Sequence, residues 1–488
     1  MNIGISGLAA YVPPYRVTLD AWCDWTGQHP DKMREVVGRS FRMRSDKHSV
    51  YTMAATAVLR LIEQYDIDPQ NVAFLGLGTE SSLDNSAGAV IVKGMVDREL
   101  RARGQTPLAR ACEVPEFKHA CLGGVYAMKS ALRALALDAR GKQAIVVCAD
   151  IAEYERGSSG EPTQGAGAVA MLLEEDPQLA VVDLAASGCA SDYRICDFRK
   201  PMLRFCGQDR SQTHQVQDFP VFNGKYSTTC YIDETLQALA DMYAKRGINA
   251  AAHLRAIDHI FMHRPYRRMP ENGLSVAWLW ALANGTEADR AQLCRYADGT
   301  EIDATALISE LTSVHDVAEL AVPEHLNDDA MPLTMALTRF VRKHPDYAAA
   351  VTDKLTLGSE CMRDLGNLYT AALPAWMAAG FEEALARDLP LTGQEILTLG
   401  YGSGDAAEVI PMYVASGWKE ATARMHFADS LNGAIDLTQA QYEALHDGRL
   451  VDLPASANPE FLIEAVGRDT ERHFQNVGIE YYRYSGEA

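Results

Sequence analysis

The sequence predicts an α/β fold whose sheet is covered on both faces, and three observations carry that reading. Residues 72–79, 144–149 and 165–173 are unbroken apolar runs, too apolar for strands with one wet face. Between the first two lies an amphipathic helix with Val125, Met128, Leu132 and Leu135 on one side. The second half of the chain loosely repeats this order, with a strand, a helix opened by small residues, another strand and a glycine turn. At 488 residues the chain is too long for one simple core, so two related units are expected.

Residues 3–11 alternate short apolar residues with glycine and stop at Pro13-Pro14, as a first strand does. A helix rich in Ala, Leu and Met follows at about 47–65. The strand 72–79 ends at Glu80. A carboxylate there stands where α/β sheets hold ligands, or else caps a helix. Residues 100–115 form a polar, basic, proline-bearing loop. Cys121 then precedes Gly123, Gly124 and the 125–135 helix. The unpaired N–H groups and positive dipole of a helix start favour a thiolate, and the glycines leave room for a substrate at the sulfur. Taken alone, a small core cysteine is the commoner reading of such a position.

The strand 144–149 runs into Asp150. A glycine-rich loop, 157–164, feeds a strand rather than a helix, so it is not a dinucleotide-binding fingerprint. Polar connections after residue 190 contain Asp197, and a helix is expected at about 233–246. The strand 257–263 ends at His263, stopped by Pro265. A lone strand-end histidine is more often structural than catalytic. Arg264, Arg267 and Arg268 make the clearest basic cluster, either a solvated face or a seat for a phosphorylated ligand. Residues 283–350 are helical with little legible chemistry. Another helix opens at 366–373, the strand 396–404 enters a tight glycine turn, and 420–485 reads as a small element packed on the second half.

A net charge of -20 argues against nucleic acid or an anionic membrane as the main partner. Ten scattered cysteines include no C-x-x-C pair, which disfavours structural zinc and a disulfide framework; no metal is expected. No stretch reaches the ~18 apolar residues of a membrane span, and no basic segment precedes an apolar run at the start. Reducing cytoplasm is the expected location.

Glu80, Cys121 and His263 end equivalent elements in three separate segments. A carboxylate, a thiol and an imidazole are the groups a thioester Claisen condensation needs. The motifs around them occur in a fixed order. They are Gly76-Leu77-Gly78-Thr79-Glu80, Ala120-Cys121-x-Gly123-Gly124, Ala149-Asp150-Ile151-Ala152-x-Tyr154, and Pro162-Thr163-x-Gly165-Ala166-Gly167. Asp197-Phe198-x-Lys200-Pro201, Pro220-Val221 with Gly224-Lys225 and Cys230-Tyr231, His263-x-Pro265-Tyr266, Gly366-Asn367-Leu368-Tyr369-Thr370 and Tyr401-Gly402-Ser403-Gly404 complete them. In this set the chain resembles the 3-hydroxy-3-methylglutaryl-CoA synthase family of the thiolase superfamily, over nearly its whole length.

The resemblance implies a thiolase-like, five-layered α-β-α-β-α fold of two related halves. Residues 1–175 would carry Glu80 and Cys121. Residues 176–420 would carry His263 and Asn367, with a loosely matching block at 283–350, and 421–488 would be an extension on the second half. It also implies that acetyl-CoA acetylates Cys121, that Glu80 is the base and later the acid, and that His263 holds the acceptor's ketone oxygen. Backbone N–H groups at Cys121 and Ser403 would hold the thioester oxygen. Asn367 would bond near the substrate, and Asp150 and Asp197 would support the site. Thr163, Tyr266, Gly402, Arg264, Arg267 and Arg268 are the implied substrate and CoA contacts.

The acceptor would be acetoacetyl-CoA or a carrier-bound β-ketoacyl group. No cofactor beyond the CoA thioesters is implied, and the family assembles as homodimers. A ketoacyl synthase III-like enzyme is a further reading, but it pairs Cys with His and Asn, and Glu80 favours the first. An inert scaffold of the same fold is disfavoured by the intact set. Three departures bear on the substrates. Leu122 stands where the family has an aromatic shielding the acyl pocket, the segment 98–110 is long, and Arg264 replaces a small residue.

Overall fold

The computed structural model describes residues 2–82, 87–199, 219–221 and 223–486. Lys200 and Pro201 of the Asp197 motif lie outside the described residues, as does Cys206. The strand Gln143–Ala152 shows why both sheet faces are apolar, because its successive side chains point to opposite faces. Ile145, Val147 and Ala149 enter one core with the helices Val50–Gln64 and Gly88–Ala102. Ala144, Val146 and Cys148 enter the other, with the helix Gly123–Leu137.

The largest sheet among the described residues is mixed and has ten strands, five in its first half and five in its second. Its first half runs Glu116–Phe117, Val72–Gly78, Gln143–Ala152, Gly165–Glu175, Ile3–Tyr11. Val72–Gly78 is parallel to both neighbours, and Gly165–Glu175 is antiparallel to both of its own. Ala180–Val182 joins this half to Ala406–Val414, which is followed by Glu395–Gly402 and His259–Met262; Gly188–Ser191 also pairs with Ala406–Val414.

Helices fill the space between the halves and cover both outer sides. Met128, Leu132 and Leu135 of Gly123–Leu137 share a core with Ala375 and Met377 of Ala372–Ala386, with Met171 of the first half and with Leu397, Leu399 and Met412 of the second. Gly224–Arg246 and Arg268–Ala283 pack outside the second half. The order helix, sheet, helix, sheet, helix is the expected five-layered arrangement. Leu132 is fully buried in the central layer. Leu132→Ala is expected to cost ~2–5 kcal/mol in an equilibrium urea titration.

Three elements differ from the sequence reading. The helix expected from 233 begins at Gly224. Thr228, Thr229 and Tyr226 are weak helix formers, but Tyr226, Cys230 and Tyr231 are buried, and tertiary packing outweighs propensity. Asp150 does not end its strand; the strand continues to Ala152 and pairs Asp150 with Gly167.

The 421–488 extension packs largely on the first half rather than the second. Ile435 and Asp436 pair with Tyr15 and Arg16, the Phe461 N–H donates to Thr56 Oγ1 (3.0 Å), and Tyr442 donates to Glu161. Its apolar anchors Leu445 and Phe461 belong to cores built on first-half strands and helices. Among the described residues no helix is long and apolar enough to cross a membrane.

Candidate active site

The two glycines after Cys121 serve packing. A Cβ on Gly124 would fall 2.3 Å from the Cys148 sulfur, and one on Gly78 would meet the Gly124 backbone at 2.4 Å. The start of the Gly123–Leu137 helix is thus pressed onto the strand Val72–Gly78, with Ala120 in the left-handed region (φ 40°) just before the cysteine. This holds Cys121 at the wall of a cavity of about 310 Å³. Leu122 turns the other way. It is fully buried, packed where a Cβ on Gly400 or Gly402 would strike it, and does not shape the acyl pocket.

The thiol is not the anion that a helix start suggests. Burial pushes the Cys121 pKa well above the ordinary thiol range, and the carboxylates of Asp150, Glu80 and Asp197 push it further. A dipole effect of ~0.3–1 kcal/mol does not offset desolvation plus three acids. The Cys121 thiol is therefore neutral at rest and must lose its proton before the sulfur can act as a nucleophile.

Asp150 is the knot of the site. It is completely buried. Its Oδ1 accepts from Thr79 Oγ1 (3.0 Å), Glu80 N (2.7 Å), Ser81 N (2.9 Å) and Ser81 Oγ (2.6 Å). Its Oδ2 accepts from Thr370 N (2.9 Å) and Thr370 Oγ1. One carboxylate therefore fixes the backbone of Glu80, from the first half, to the Asn367–Thr370 turn of the second. Glu80 does not line the cavity, yet its carboxylate is close enough to Cys121 to raise the thiol.

His263 follows the strand His259–Met262, its N–H donating to Leu399 O (2.7 Å) and its carbonyl accepting from Tyr231 OH (3.1 Å). Its ring lines the cavity and stacks on Tyr401 at 6.4 Å and 25°. Burial lowers its pKa to about 3, so the imidazole is neutral at working pH and can donate one N–H to a carbonyl oxygen. Its Nδ1 has no hydrogen-bond partner. Ser403 also lines the cavity, one residue past Gly402, whose missing Cβ lets this turn approach His119 O (2.6 Å from an added Cβ). The Tyr401 hydroxyl donates to Asp197 Oδ2 (2.9 Å).

Asn367 closes the opposite wall. Its side-chain Oδ1 accepts from Tyr369 N (2.9 Å) and its backbone N–H donates to the carbonyl of Thr163 (2.9 Å), a residue that lines the cavity beside it. Tyr154, Tyr369 and Phe198 complete an aromatic wall around Cys121, with Tyr369 edge-on to Tyr154 (6.3 Å, 89°) and to Phe198 (5.7 Å, 79°). Tyr266 lines the mouth with Met33, Val36, Val37 and Met269.

The three arginines do not converge on the cavity. Arg264 is buried, lies over the Trp376 ring (5.2 Å) and donates to Ser359 O (3.2 Å). Its burial, not an anion, dominates, and lowers its pKa to about 9. Arg267 donates to Glu35 O (2.6 Å) and Arg268 pairs with the Glu35 carboxylate, so both are engaged in pinning the Pro30–Val36 helix at the mouth. None of the three lines the cavity.

The structure thus brings Cys121, His263, Asn367, Thr163, Tyr266 and Ser403 to one cavity. Glu80, Asp150 and Asp197 stand behind its walls, and Gly402 carries the Ser403 turn. The aromatic wall escaped the sequence reading, although Tyr154, Phe198, Tyr369 and Tyr401 all sit inside the motifs that signalled the site. The apolar mouth from Met33 to Val37 left no signal, because a short amphipathic turn looks the same anywhere on a surface.

Comparison with known proteins gives a consistent neighbourhood. Residues 1–178 match the family model described as hydroxymethylglutaryl-coenzyme A synthase N terminal. The chain is 25% identical over 480 residues to the hydroxymethylglutaryl-CoA synthase of Enterococcus faecalis, covering 98% of this chain and 100% of that protein. Among solved structures it is similar to MvaS in complex with 3-hydroxy-3-methylglutaryl coenzyme A, with a TM-score of 0.75, 25% identity and 99% of both chains covered. It shares the fold of the HMG synthase of the curacin biosynthetic pathway in complex with acetyl donor-ACP, at TM-score 0.70 and 17% identity, over 99% of this chain and 100% of that one.

Proposed function

As a member of the hydroxymethylglutaryl-CoA synthase family the chain is an acyl-transferring condensing enzyme, and we propose that it makes 3-hydroxy-3-methylglutaryl-CoA from acetyl-CoA, acetoacetyl-CoA and water. The observation that carries this reading is the convergence of Cys121, His263, Asn367 and Ser403 on one cavity, with Glu80 anchored beside the cysteine through Asp150.

In the first step the Cys121 sulfur attacks the acetyl carbonyl. A carbon–sulfur bond to CoA breaks, CoA leaves as its thiol, and the Cys121 proton balances it. Backbone N–H groups at Cys121 and Ser403 hold the carbonyl oxygen as it gains charge. Glu80 then takes a proton from the acetyl methyl. The resulting carbanion equivalent adds to the ketone carbon of the acceptor, whose oxygen receives the N–H of neutral His263. Proton return from Glu80 gives the tertiary alcohol, and water cleaves the Cys121 thioester.

Asn367 and Thr163 position the thioester against the aromatic wall, and Tyr266 shapes the mouth. The protein would act in the cytoplasm as a homodimer, with CoA thioesters as substrates and no metal or resident cofactor. The free cysteines, among the described residues, suit a reducing compartment.

The test supplies acetyl-CoA with the acetoacetyl acceptor in two forms, on CoA and on a holo acyl carrier protein, and identifies product by mass. Formation of 3-hydroxy-3-methylglutaryl-CoA at a kcat/KM at least tenfold above the carrier-bound reaction is expected. Product on the carrier alone would replace CoA by a carrier as the acceptor's handle.

A further inference from the structure

Behind the cavity, the turn that presents Ser403 is tied to the segment before the Gly224–Arg246 helix. Asp192 and Asp405 exchange both backbone hydrogen bonds (3.2 and 2.6 Å), and Arg194 N donates to Gly404 O (3.1 Å). The side chains between these backbones are two carboxyl groups, Asp197 and Asp405, 1% and 3% exposed. Asp197 Oδ2 accepts from Tyr401 OH, and Asp405 Oδ1 accepts from Gly404 N. The other two oxygens, Asp197 Oδ1 and Asp405 Oδ2, are buried and have no hydrogen-bond donor. One oxygen of each residue lies within 4.8 Å of the other's and of the Cys230 sulfur.

Buried polar atoms without a partner are rare, and an unpaired oxygen on each of two neighbouring carboxyl groups finds no donor in the pair unless one of them carries a proton. A second ionised carboxylate at that distance in a desolvated place is strongly disfavoured. The surroundings supply little compensating positive charge. Among the described residues, the groups facing Asp405 are Asp197, Arg194 and Asp192 from one segment, Tyr226, Cys230, Asp233 and Glu234 from the Gly224–Arg246 helix, and Tyr401 from the sheet. Arg194 is the one cation in this group. Its Nη2 is committed to Asp233 (2.5 Å) and Asp192 (3.1 Å), and its Nε stays 3.9 Å from Asp405.

We propose that Asp405 carries a proton and donates it in a hydrogen bond to Asp197, and that this carboxyl pair is a positioning device that holds the Ser403 turn and the Tyr401 ring against Cys121 and His263. Asp405 is the new residue here; it touches no substrate and acts through the turn. Burial and the neighbouring Asp197 raise its pKa from the ordinary aspartate range to about 9, in accord with the missing donor. Losing that proton would put a second negative charge behind a thiol that Asp197 already makes hard to ionise. The part concerning acylation rests on the reading of Cys121 as the acyl acceptor.

The test uses the full chain as wild type, Asp405→Asn, Asp405→Ala and Asp197→Asn. Difference infrared spectra at pH 7 should show a protonated-carboxyl carbonyl band in wild type that Asp405→Asn removes. Between about pH 5 and 9 folded Asp405 holds a proton that the unfolded chain has lost, so wild-type stability falls as pH rises. The Tm advantage of Asp405→Asn over wild type should therefore grow across that window, and Asp197→Asn should reduce the slope in the same way. Acylation of Cys121 should rise with pH as the thiol ionises, bend over above about pH 9 in wild type, and keep rising in Asp405→Asn. Asp405→Ala should acylate at least tenfold more slowly at every pH, with Asp405→Asn restoring the rate.

A carbonyl band unchanged in Asp405→Asn, or a pH-independent Tm difference, overturns the proposal. So does a stoichiometric divalent metal that purifies with wild type and is lost with Asp405→Asn, because the metal would then occupy the proton's place. If wild type takes up no acyl group at all, the functional reading falls, while the band and the Tm slope still decide the pair.

Discussion

Cys121→Ala is expected to gain no acetyl-sized mass from acetyl-CoA and to form product at least about ten-thousandfold more slowly than wild type. The loss is large because, among the described residues, Cys121 is the one thiol at the cavity. Among the described residues the other cysteines do not line the cavity, and burial raises the Cys112 thiol to about 11 and holds Cys148 and Cys230 higher still. Cys121 itself starts as a neutral thiol, held so by burial and by Asp150, Glu80 and Asp197. Wild-type acylation should therefore climb through neutral pH, about tenfold per unit where thiolate is the attacking species. Intact mass across a pH series, followed by peptide mapping of the adduct, checks both statements. A stable acetyl adduct on Cys121→Ala would place the nucleophile elsewhere.

The layers of this fold were legible because sheet periodicity is local. The run 144–149 has no polar face, so it had to be covered on both sides, and Ile145 and Val146 do enter different cores. The positions of Glu80 and His263 just past strand ends were legible for a related reason, since a strand's end can be read from the sequence around it. What stayed hidden depends on neighbours far along the chain. The helix-start argument for a Cys121 thiolate was sound locally and lost to burial and to three carboxylates, all of which approach from other segments. The three arginines read as one cluster, but Arg264 is drawn inward by Trp376, and Glu35 occupies Arg268. Leu122 stands in sequence where the family has an aromatic, whereas the aromatics around Cys121 are Tyr154, Phe198 and Tyr369, brought in by three other loops.

Glu80→Ala separates acylation from condensation, and the two effects have opposite signs. The Glu80 carboxylate raises the Cys121 thiol, so removing it takes one negative neighbour away and eases ionisation of the sulfur. Acetylation should proceed at least as fast as in wild type. Condensation should fall by about a hundred- to ten-thousandfold, the range supplied by a positioned general base. With acetyl-CoA and acetoacetyl-CoA together, acetyl-Cys121 should then accumulate on the variant, whereas wild type turns it over. Glu80→Gln should behave alike, because an amide keeps the shape but cannot take the methyl proton. Asp150 holds Glu80 through its backbone N–H, which both variants keep, so that bond persists and the fold should survive. Intact mass at steady state and product by chromatography are the two readouts. Loss of the acetyl adduct in both variants would mean that Glu80 serves the nucleophile rather than the carbanion, and the base of the condensation would have to be sought among the other groups at the cavity.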